Sequence, residues 1–167
     1  MAVVDKLRHV GVTVEAENTG PLRPRSEASC VVACSGRVRS TDITTQPYPG
    51  FPTDLQAQFM ALLALADGNS IIIEKIFPDR FMHVAELSRM AADLRKEGSA
   101  VIVSGVDKLI AAPVMASDLR ASAALVLAGL AAEGTTIINR VYHIDRGYEK
   151  IEERLNPVGA KITRESD

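Results

Sequence analysis

The sequence predicts an α+β fold in which one βαβαβ-like unit is repeated and the sheets and helices form separate layers. The first observation is an internal repeat, because residues 52–81 align with residues 116–147 in the same order of helix, glycine and strand. The second is the segment 118–132, which is apolar on nearly every side of a helix and is therefore expected to be buried all round. Together they indicate helices at the centre of the fold and sheets outside.

Each unit opens with a helix that follows an Asp-Leu pair, at 54–55 in one copy and at 118–119 in the next. Thr53 and Ser117 precede these pairs and are the predicted N-caps, and Thr53 with Gln56 matches a capping box. After the helix each copy has a glycine and then a β-branched run, "SIIIE" or "TTIIN". Because β-branched side chains favour extended structure, these runs are predicted to be strands.

A second helix and a closing strand complete the unit. Leu87 and Leu94 are at helical spacing in the first copy, which predicts that its second helix extends through residue 94. The predicted closing strands are "SAVIVS" at 99–104 and "AKIT" at 160–163, each of which follows a glycine.

The repeat also divides the chain. We predict one partial domain over 1–167, with the tail of a first unit at 1–39, a second unit at 40–104 and a third at 105–167. Because the sequence begins inside a unit, we expect it to be part of something longer. The pairs that recur at one spacing and define the register are Leu7/Gly11, Leu94/Gly98 and Leu155/Gly159.

The composition is that of an ordinary globular protein, with 47% hydrophobic and 24% charged residues. A formal charge of −2 argues against non-specific nucleic-acid binding, which needs a basic face. The longest apolar run, 121–132, is too short to span a bilayer, and the charged opening "MAVVDKLRHV" is no signal peptide. We therefore expect a cytoplasmic protein with neither a nucleic-acid nor a membrane partner.

The cysteines, Cys30 and Cys34, lie in the strand-like stretch "SCVVACSG". A C-x-x-x-C pair that has no further cysteine beside it matches no zinc or redox spacing. We expect both thiols to be buried structural filler, because a free cysteine is among the most buried residue types.

Four long stretches resemble a known family. "FPTDLQAQF", "DRFMHVAELSRMAADL", "MASDLRASAALVLAGLAAEGTT" and "YHIDRGYEKIEERL" are similar to the UDP-N-acetylglucosamine 1-carboxyvinyltransferases, a family of enolpyruvyl transferases. The resemblance is strong over residues 40–164 and holds only in outline over 1–39. It implies βαβαββ units that form an inside-out α/β barrel-like domain, with the helices buried centrally and the sheets outside.

The resemblance also implies an activity. Family members transfer the enolpyruvyl group of phosphoenolpyruvate to the 3-hydroxyl of UDP-N-acetylglucosamine and release phosphate, in a cleft between two similar domains. The reaction belongs to peptidoglycan precursor synthesis. The family needs no metal or organic cofactor, so none is expected here.

Asp54 matches the family aspartate that contacts the sugar hydroxyl and is proposed to take its proton. An acid in the first turn of a helix is favoured in its ionised form by the positive helix end, as a base requires. The alternative is architectural, since acids are common in first turns and Asp118 occupies the matching place in the next unit.

The remaining site residues follow from the same motifs. Guanidinium groups bind phosphate and carboxylate in a bidentate manner, which suits the two anionic substrates, although a single arginine is more often a solvated surface group. The implied substrate-binding residues are Ile76, through its backbone, Phe77, through its apolar surface, Arg146, which closes onto phosphoenolpyruvate, Arg120 and Arg80, which line the cleft, and Asp118, which lies near the reacting centre.

Two family features are missing from the sequence. The family's catalytic cysteine lies on a mobile loop of the other domain, and neither Cys30 nor Cys34 matches it. A lysine-asparagine pair near the family's N-terminus is also absent. We therefore expect this chain alone to be inactive and to need the missing N-terminal half as a partner. The alternative is a stand-alone, non-catalytic nucleotide-sugar-binding module.

Overall fold

The computed structural model describes residues 2–16 and 30–165. These residues form helices and strands in a mixed order, as the sequence predicts. The helices are α1 (Ala2–His9), α2 (Gln56–Leu63), α3 (Met82–Arg89), α4 (Leu119–Ala131), α5 (Tyr142–Asp145) and α6 (Ile151–Leu155). The strands are β1 (Thr13–Ala16), β2 (Cys30–Ala33), β3 (Ile43–Thr44), β4 (Asn69–Ile73), β5 (Asp93–Glu97), β6 (Ala100–Ser104), β7 (Pro113–Met115) and β8 (Ile137–Asn139).

Within the described ranges the strands form three sheets. Strands β1 and β2 are an antiparallel pair, and β7 and β8 are a parallel pair. The largest sheet has the order β3-β4-β6-β5, in which β3 is parallel to β4 and the β5–β6 hairpin is antiparallel. All three are open sheets, and none closes into a barrel over the residues described.

Helices α2 and α4 pack against each other at the centre of the fold, and α2 also contacts β4 and β6. The four-stranded sheet packs on α2 with one face only. Ile72, Val101 and Val103 point inward and are fully buried, whereas Ile71 points outward and is 42% exposed. This alternation confirms that the helices lie inside and the sheets outside.

Helix α4 is buried over its first two turns but not to its end. Leu127 is 45% exposed and Leu130 is 43% exposed, so the expectation that this helix is buried on all sides is wrong for its last turns. The helix contacts α2, α3 and α5. These three helices leave the outer side of its C-terminal end uncovered.

The internal repeat recurs in the strand pairing. Ile43 lies opposite Ile72 in the β3–β4 pair, and Val114 lies opposite Ile138 in the β7–β8 pair, in both cases between parallel strands. An isolated parallel bridge precedes each pair, at Arg39–Asp67 and at Ile110–Glu133. These contacts support the alignment of the two copies, while the unit boundaries at 40 and 105 stay a prediction.

The predicted end of the second helix is wrong. Helix α3 ends at Arg89, and Leu94 lies in strand β5 rather than in the helix. The chain leaves the helix through Ala91, whose φ of 66° is left-handed, and the amide of Ala92 then donates to the carbonyl of Leu87. This turn directs residues 93–97 into the sheet.

The same turn ends each of the three second helices. Its left-handed residue is Gly11 after α1, Ala91 after α3 and Gly159 after α6, with φ values of 97°, 66° and 104°. The next amide donates in each case to the carbonyl five residues earlier. The structural equivalent of Leu7/Gly11 is therefore Leu87/Ala91, and the predicted match with Leu94/Gly98 is out of register. The repeat is difficult to recognise in the sequence because Ala91 occupies the position at which the other copies have glycine.

The predicted closing strand at 160–163 is not formed. The backbone of Ile162 pairs instead with the side chain of Asn156, whose Nδ2 donates to the Ile162 carbonyl at 2.9 Å and whose Oδ1 accepts from the Ile162 amide at 2.9 Å. An amide side chain thereby takes the hydrogen bonds that a neighbouring strand would make.

The cysteines were expected to be buried, and this expectation is also wrong. Cys30 opens β2 and Cys34 follows it, and both are exposed free thiols. All of β2 is exposed, since over residues 2–16 and 30–165 its sheet contains no strand besides β1 and β2. A two-stranded ribbon offers no second layer to cover a thiol.

We predict that Ala91→Gly stabilises the chain by about 1 kcal/mol, because a left-handed φ strains any residue that has a Cβ atom. The methyl group of Ala91 is exposed, so its loss costs little packing. The free energy of unfolding is measured by urea titration. The matched control is Gly11→Ala, whose new Cβ meets nothing closer than Arg39 Nε at 3.9 Å. It should destabilise by a similar amount, and a loss of stability in Ala91→Gly contradicts the prediction.

Candidate functional site

Asp54 lies in a 3-10 turn, Thr53–Leu55, immediately before α2. The preceding Pro52 is extended, with φ −74° and ψ 136°. No side chain caps this turn or α2, so the predicted capping box is wrong. The Thr53 hydroxyl instead donates to the Glu74 carboxylate at 2.9 Å. The turn is thus held by a long-range contact and leaves the Asp54 side chain 52% exposed.

Two arginines hold the Asp54 carboxylate, one on each oxygen. Arg80 Nη1 donates to Oδ1 at 3.2 Å, and Arg120 Nη2 donates to Oδ2 at 3.0 Å. Arg80 lies between β4 and α3, and Arg120 lies in the first turn of α4. Both arginine side chains are less than a third exposed, at 28% and 29%. Three separate parts of the chain therefore meet at one half-exposed carboxylate.

The arginines lower the pKa of Asp54 below its ordinary value. The hydrogen bond from Arg120 is the largest cause, partial burial opposes it, and the charges of Arg120 and Arg80 lower the pKa further. In return the same hydrogen bond raises the pKa of Arg120. The ionised form expected from sequence is therefore favoured, and the two guanidinium groups are its cause.

Asp118 is the N-cap of α4, the position that we assigned to Ser117. Its Oδ1 accepts from the amides of Arg120 at 2.7 Å and Ala121 at 2.8 Å. A capping carboxylate satisfies amides that the helix itself leaves unpaired. Asp118 thus fixes the backbone from which the Arg120 side chain reaches Asp54.

Ile76 and Phe77 follow β4 and lie beside the cluster that Asp54 forms with Arg80 and Arg120. Their amides both donate to Glu74 Oε1, at 2.8 and 3.1 Å, so a backbone contact between Ile76 and a ligand falls to its carbonyl oxygen. The Phe77 ring is 55% exposed, and the Arg80 guanidinium carbon lies 5.2 Å from its centroid. This cation–π contact adds a second constraint on Arg80.

Arg146 lies in a neighbouring turn at the end of α5 and is exposed. Its side chain makes no hydrogen bond or ion pair with the residues that the structure describes. The turn itself packs closely, because a Cβ on Gly147 would lie 2.7 Å from Leu119 Cδ2. Gln58 also donates to the Tyr148 hydroxyl at 3.4 Å. The structure therefore joins Asp54, Arg80 and Arg120 in one cluster, whereas Arg146 stands apart on the adjoining turn.

Glu74 is the residue of this region that the sequence analysis missed. It is fully buried, and both of its oxygens accept hydrogen bonds. The sequence carried a signal, since an acid directly after "SIII" stands at the end of a half-buried strand. Its partners at Thr45 and Thr53 lie 29 and 21 residues away, and no local pattern relates them.

His83 is buried at the start of α3. Burial lowers its pKa to about 4, the charge of Asp118 opposes this, and Arg80 lowers it further. A neutral histidine therefore lies near the cluster at physiological pH.

Over residues 2–16 and 30–165, no three histidine, cysteine, aspartate or glutamate side chains are grouped so as to hold a metal ion. Among the helices described, none is long and apolar enough to cross a membrane.

Comparison with known proteins places the chain. A profile of the family described as EPSP synthase (3-phosphoshikimate 1-carboxyvinyltransferase) matches residues 1–155. The chain belongs to the EPSP synthase family. This match also includes residues 1–39, where we expected a resemblance only in outline.

Curated relatives within the family match nearly the whole chain. The UDP-N-acetylglucosamine 1-carboxyvinyltransferase of Nitratidesulfovibrio vulgaris (strain DSM 19637 / Miyazaki F) is 57% identical over 163 residues. The protein of that name from Anaeromyxobacter sp. (strain Fw109-5) is 58% identical over 164 residues. Each alignment covers 98% of this chain and 37% of the relative, so the chain spans little more than a third of their length. The resemblance found in the motifs is thereby confirmed.

Solved structures confirm the fold. The enolpyruvyl transferase NikO from Streptomyces tendae superposes with a TM-score of 0.82 at 28% identity, over 97% of this chain and 36% of that one. An EPSP synthase from Acinetobacter baumannii superposes with a TM-score of 0.67 at 18% identity, over 98% of this chain and 36% of that one. The chain thus has an enolpyruvyl transferase fold.

We predict that Arg120→Met raises the pKa of Asp54 more than Arg80→Met does, because the Arg120 hydrogen bond is the largest cause of the lowered value. The measurement is a pH titration of the carboxyl ¹³C shift in aspartate-labelled protein, with Asp54→Asn to assign the signal. Lys108→Met breaks the exposed Lys108–Glu133 pair and is the matched control, which should leave the titration unchanged. A larger effect of Arg80→Met contradicts the prediction.

We predict that acid destabilises the fold through His83. Its folded pKa of about 4 lies below the ordinary 6.5, so the unfolded chain binds the proton more tightly. The free energy of unfolding should fall by up to about 1.4 kcal/mol per pH unit between these values as pH drops. Urea titrations of His83→Gln should show a flatter pH dependence across this window. His9→Gln changes an exposed histidine and should keep the steep dependence, and an equal slope in His83→Gln rules out this source.

Proposed function

We propose that this chain is part of an enolpyruvyl transferase that moves the enolpyruvyl group of phosphoenolpyruvate to the 3-hydroxyl of UDP-N-acetylglucosamine and releases phosphate. The observation that carries the proposal is the 57–58% identity to relatives of that name along nearly the whole chain. The cluster of Asp54 with Arg80 and Arg120 supports it, because a base and two cations suit a hydroxyl acceptor and an anionic donor.

Asp54 is the proposed catalytic base. Its pKa is held below the ordinary value, so the carboxylate is ionised at neutral pH, and its half-exposed position leaves it accessible to a sugar hydroxyl. In the transfer, the sugar oxygen bonds to C2 of phosphoenolpyruvate, the bond from C2 to the phosphate oxygen breaks, and the hydroxyl proton passes to Asp54. A base in direct contact with the hydroxyl contributes typically 10²–10⁴-fold to such a step.

The arginines are the proposed anion-binding groups. Arg80 uses Nη1 for Asp54 and Thr53, which leaves the Nε and Nη2 donors of its guanidinium for a phosphate or carboxylate. Arg146, whose side chain is exposed on the adjoining turn, is proposed to close onto the same ligand. Ile76 through its carbonyl and Phe77 through its exposed ring are the proposed contacts with the nucleotide-sugar, and Asp118 supports the cluster through Arg120.

The curated relatives are longer than this chain and contain segments that it lacks. Because the chain spans 37% of them, we propose that it supplies one wall of a cleft and that another segment supplies the cysteine loop. The proposed setting is the cytoplasmic synthesis of peptidoglycan precursors, with the roles in cell shape and division that cell-wall biogenesis entails.

The test is a chimaera in which this chain replaces the matched region of the Nitratidesulfovibrio relative. We predict that the chimaera releases phosphate only when both phosphoenolpyruvate and UDP-N-acetylglucosamine are present. Asp54→Asn should lower kcat by roughly 10²–10⁴-fold, because the general base is lost. The measurement is a coupled phosphate assay, with the unaltered relative as the positive control.

Asp107→Asn is the matched carboxylate control, since Asp107 forms an exposed ion pair with Arg37 away from the cluster. It should keep the activity of the parent chimaera. A folded chimaera without phosphate release, or an active Asp54→Asn variant, overturns the proposal. The isolated chain is assayed in parallel and is expected to show no turnover.

A further inference from the structure

Glu74 is a fully buried acid with four hydrogen-bond donors around it. Its Oε1 accepts from the Thr45 hydroxyl at 2.5 Å and from the amides of Ile76 and Phe77 at 2.8 and 3.1 Å. Its Oε2 accepts from the Thr53 hydroxyl at 2.9 Å. A buried carboxylate is tolerated only when its oxygens are satisfied in this way. Every one of these contacts joins Glu74 to a segment next to the cluster or to the sheet behind it.

Backbone hydrogen bonds hold the sheet side of this arrangement. The Glu74 amide donates to the Ser99 carbonyl at 2.9 Å, at the end of the β4–β6 pairing. The buried Thr45 amide donates to the Ile73 carbonyl, and the Thr45 hydroxyl accepts from the Lys75 amide. Glu74 therefore projects from the end of the β4–β6 pairing toward the 3-10 turn that holds Thr53 and the loop that holds Ile76 and Phe77.

The other side of the arrangement is the Asp54 cluster. The Thr53 hydroxyl, which donates to Glu74, also accepts from Arg80 Nη1 at 3.4 Å. The same Nη1 donates to Asp54 Oδ1 at 3.2 Å. One continuous chain of hydrogen bonds thus runs from Glu74 through Thr53 and Arg80 to Asp54. The loop of Phe77, on which Arg80 rests, is held by the opposite oxygen of Glu74.

We propose that Glu74 is a positioning residue, which fixes Arg80 against Asp54 through the Thr53 hydroxyl on one oxygen and through the 76–77 backbone on the other. It contacts no reacting atom itself. The catalytic meaning of this role rests on the proposed function, because it is Asp54 that would take the sugar proton. The mechanical role is independent of any substrate and is tested without one.

Glu74→Gln makes the two oxygen positions of the side chain different, because one of them becomes an NH₂ group. The amide oxygen is expected to keep the side with three donors, which places the NH₂ group against the Thr53 hydroxyl. The Thr53 proton then loses its acceptor, and Arg80 loses part of its support. Thr53→Val breaks the same link from the other end, and it is the deciding variant because Thr53 is only half-buried and tolerates an isosteric change.

The readout is the ¹³C pH titration of Asp54 in the purified chain. In Glu74→Gln and Thr53→Val the pKa of Asp54 should rise toward its ordinary value, because Arg80 no longer faces Oδ1. Thr53→Ser keeps the hydroxyl and should restore the low value. The matched control is Thr45→Val, which removes another Glu74 hydrogen bond on the sheet side. It should lower stability yet leave the Asp54 titration unchanged.

An unchanged titration in Thr53→Val overturns the proposal, whether or not Glu74→Gln folds. An equal rise in Thr45→Val also overturns it, since the effect would then be a general loosening. In the chimaera, Thr53→Val should lower kcat on the order of tenfold more than Thr45→Val does. If the chimaera has no transfer activity but Asp54 titrates as expected, the proposed function fails while the role of Glu74 stands.

Discussion

The packing of α2 against α4 is the contact on which the rest of the structure depends. The two helices bury their apolar sides against each other, and their N-terminal ends carry the Asp54 turn and Arg120. The distance between the carboxylate and this arginine is therefore set by a helix–helix interface and not by the two side chains alone. The sheet of β4 and β6 packs on α2, and Glu74 and Arg80, which follow β4, contact the turn that precedes α2. The positions of the site residues therefore follow from the packing of the core.

Much of this arrangement follows from sequence pattern, because strong periodicity reflects burial directly. The run "SIIIE" forms most of β4, and the apolar segment 118–132 forms helix α4, which is buried over its first two turns. The local details failed where the deciding partner is distant in sequence. Thr53 has the pattern of a cap, yet its hydroxyl bonds to Glu74 across 21 residues. Ala91 hides the repeat, since a left-handed alanine has no signature that distinguishes it from any helical alanine.

The candidate site residues likewise divide into those that the sequence predicted and one that it did not. Asp54, Arg80 and Arg120 were predicted from the motifs that carry the family resemblance, and the structure brings both arginines within hydrogen-bond distance of Asp54. Their order in the chain contains nothing that predicts which oxygen each guanidinium meets. Glu74 was missed, because a buried acid is defined by neighbours that only the fold assembles. Family resemblance identifies groups that meet a ligand more readily than the groups that hold them in place.

The half-exposure of Asp54 has a consequence for how the cluster responds to its solvent. Mobile ions reach a carboxylate that is 52% accessible, and screening over about 8 Å at physiological ionic strength weakens its attraction to both arginines. The charge state of this cluster is thus a property of the protein together with its buffer, and the ionic composition belongs in any statement of the Asp54 pKa.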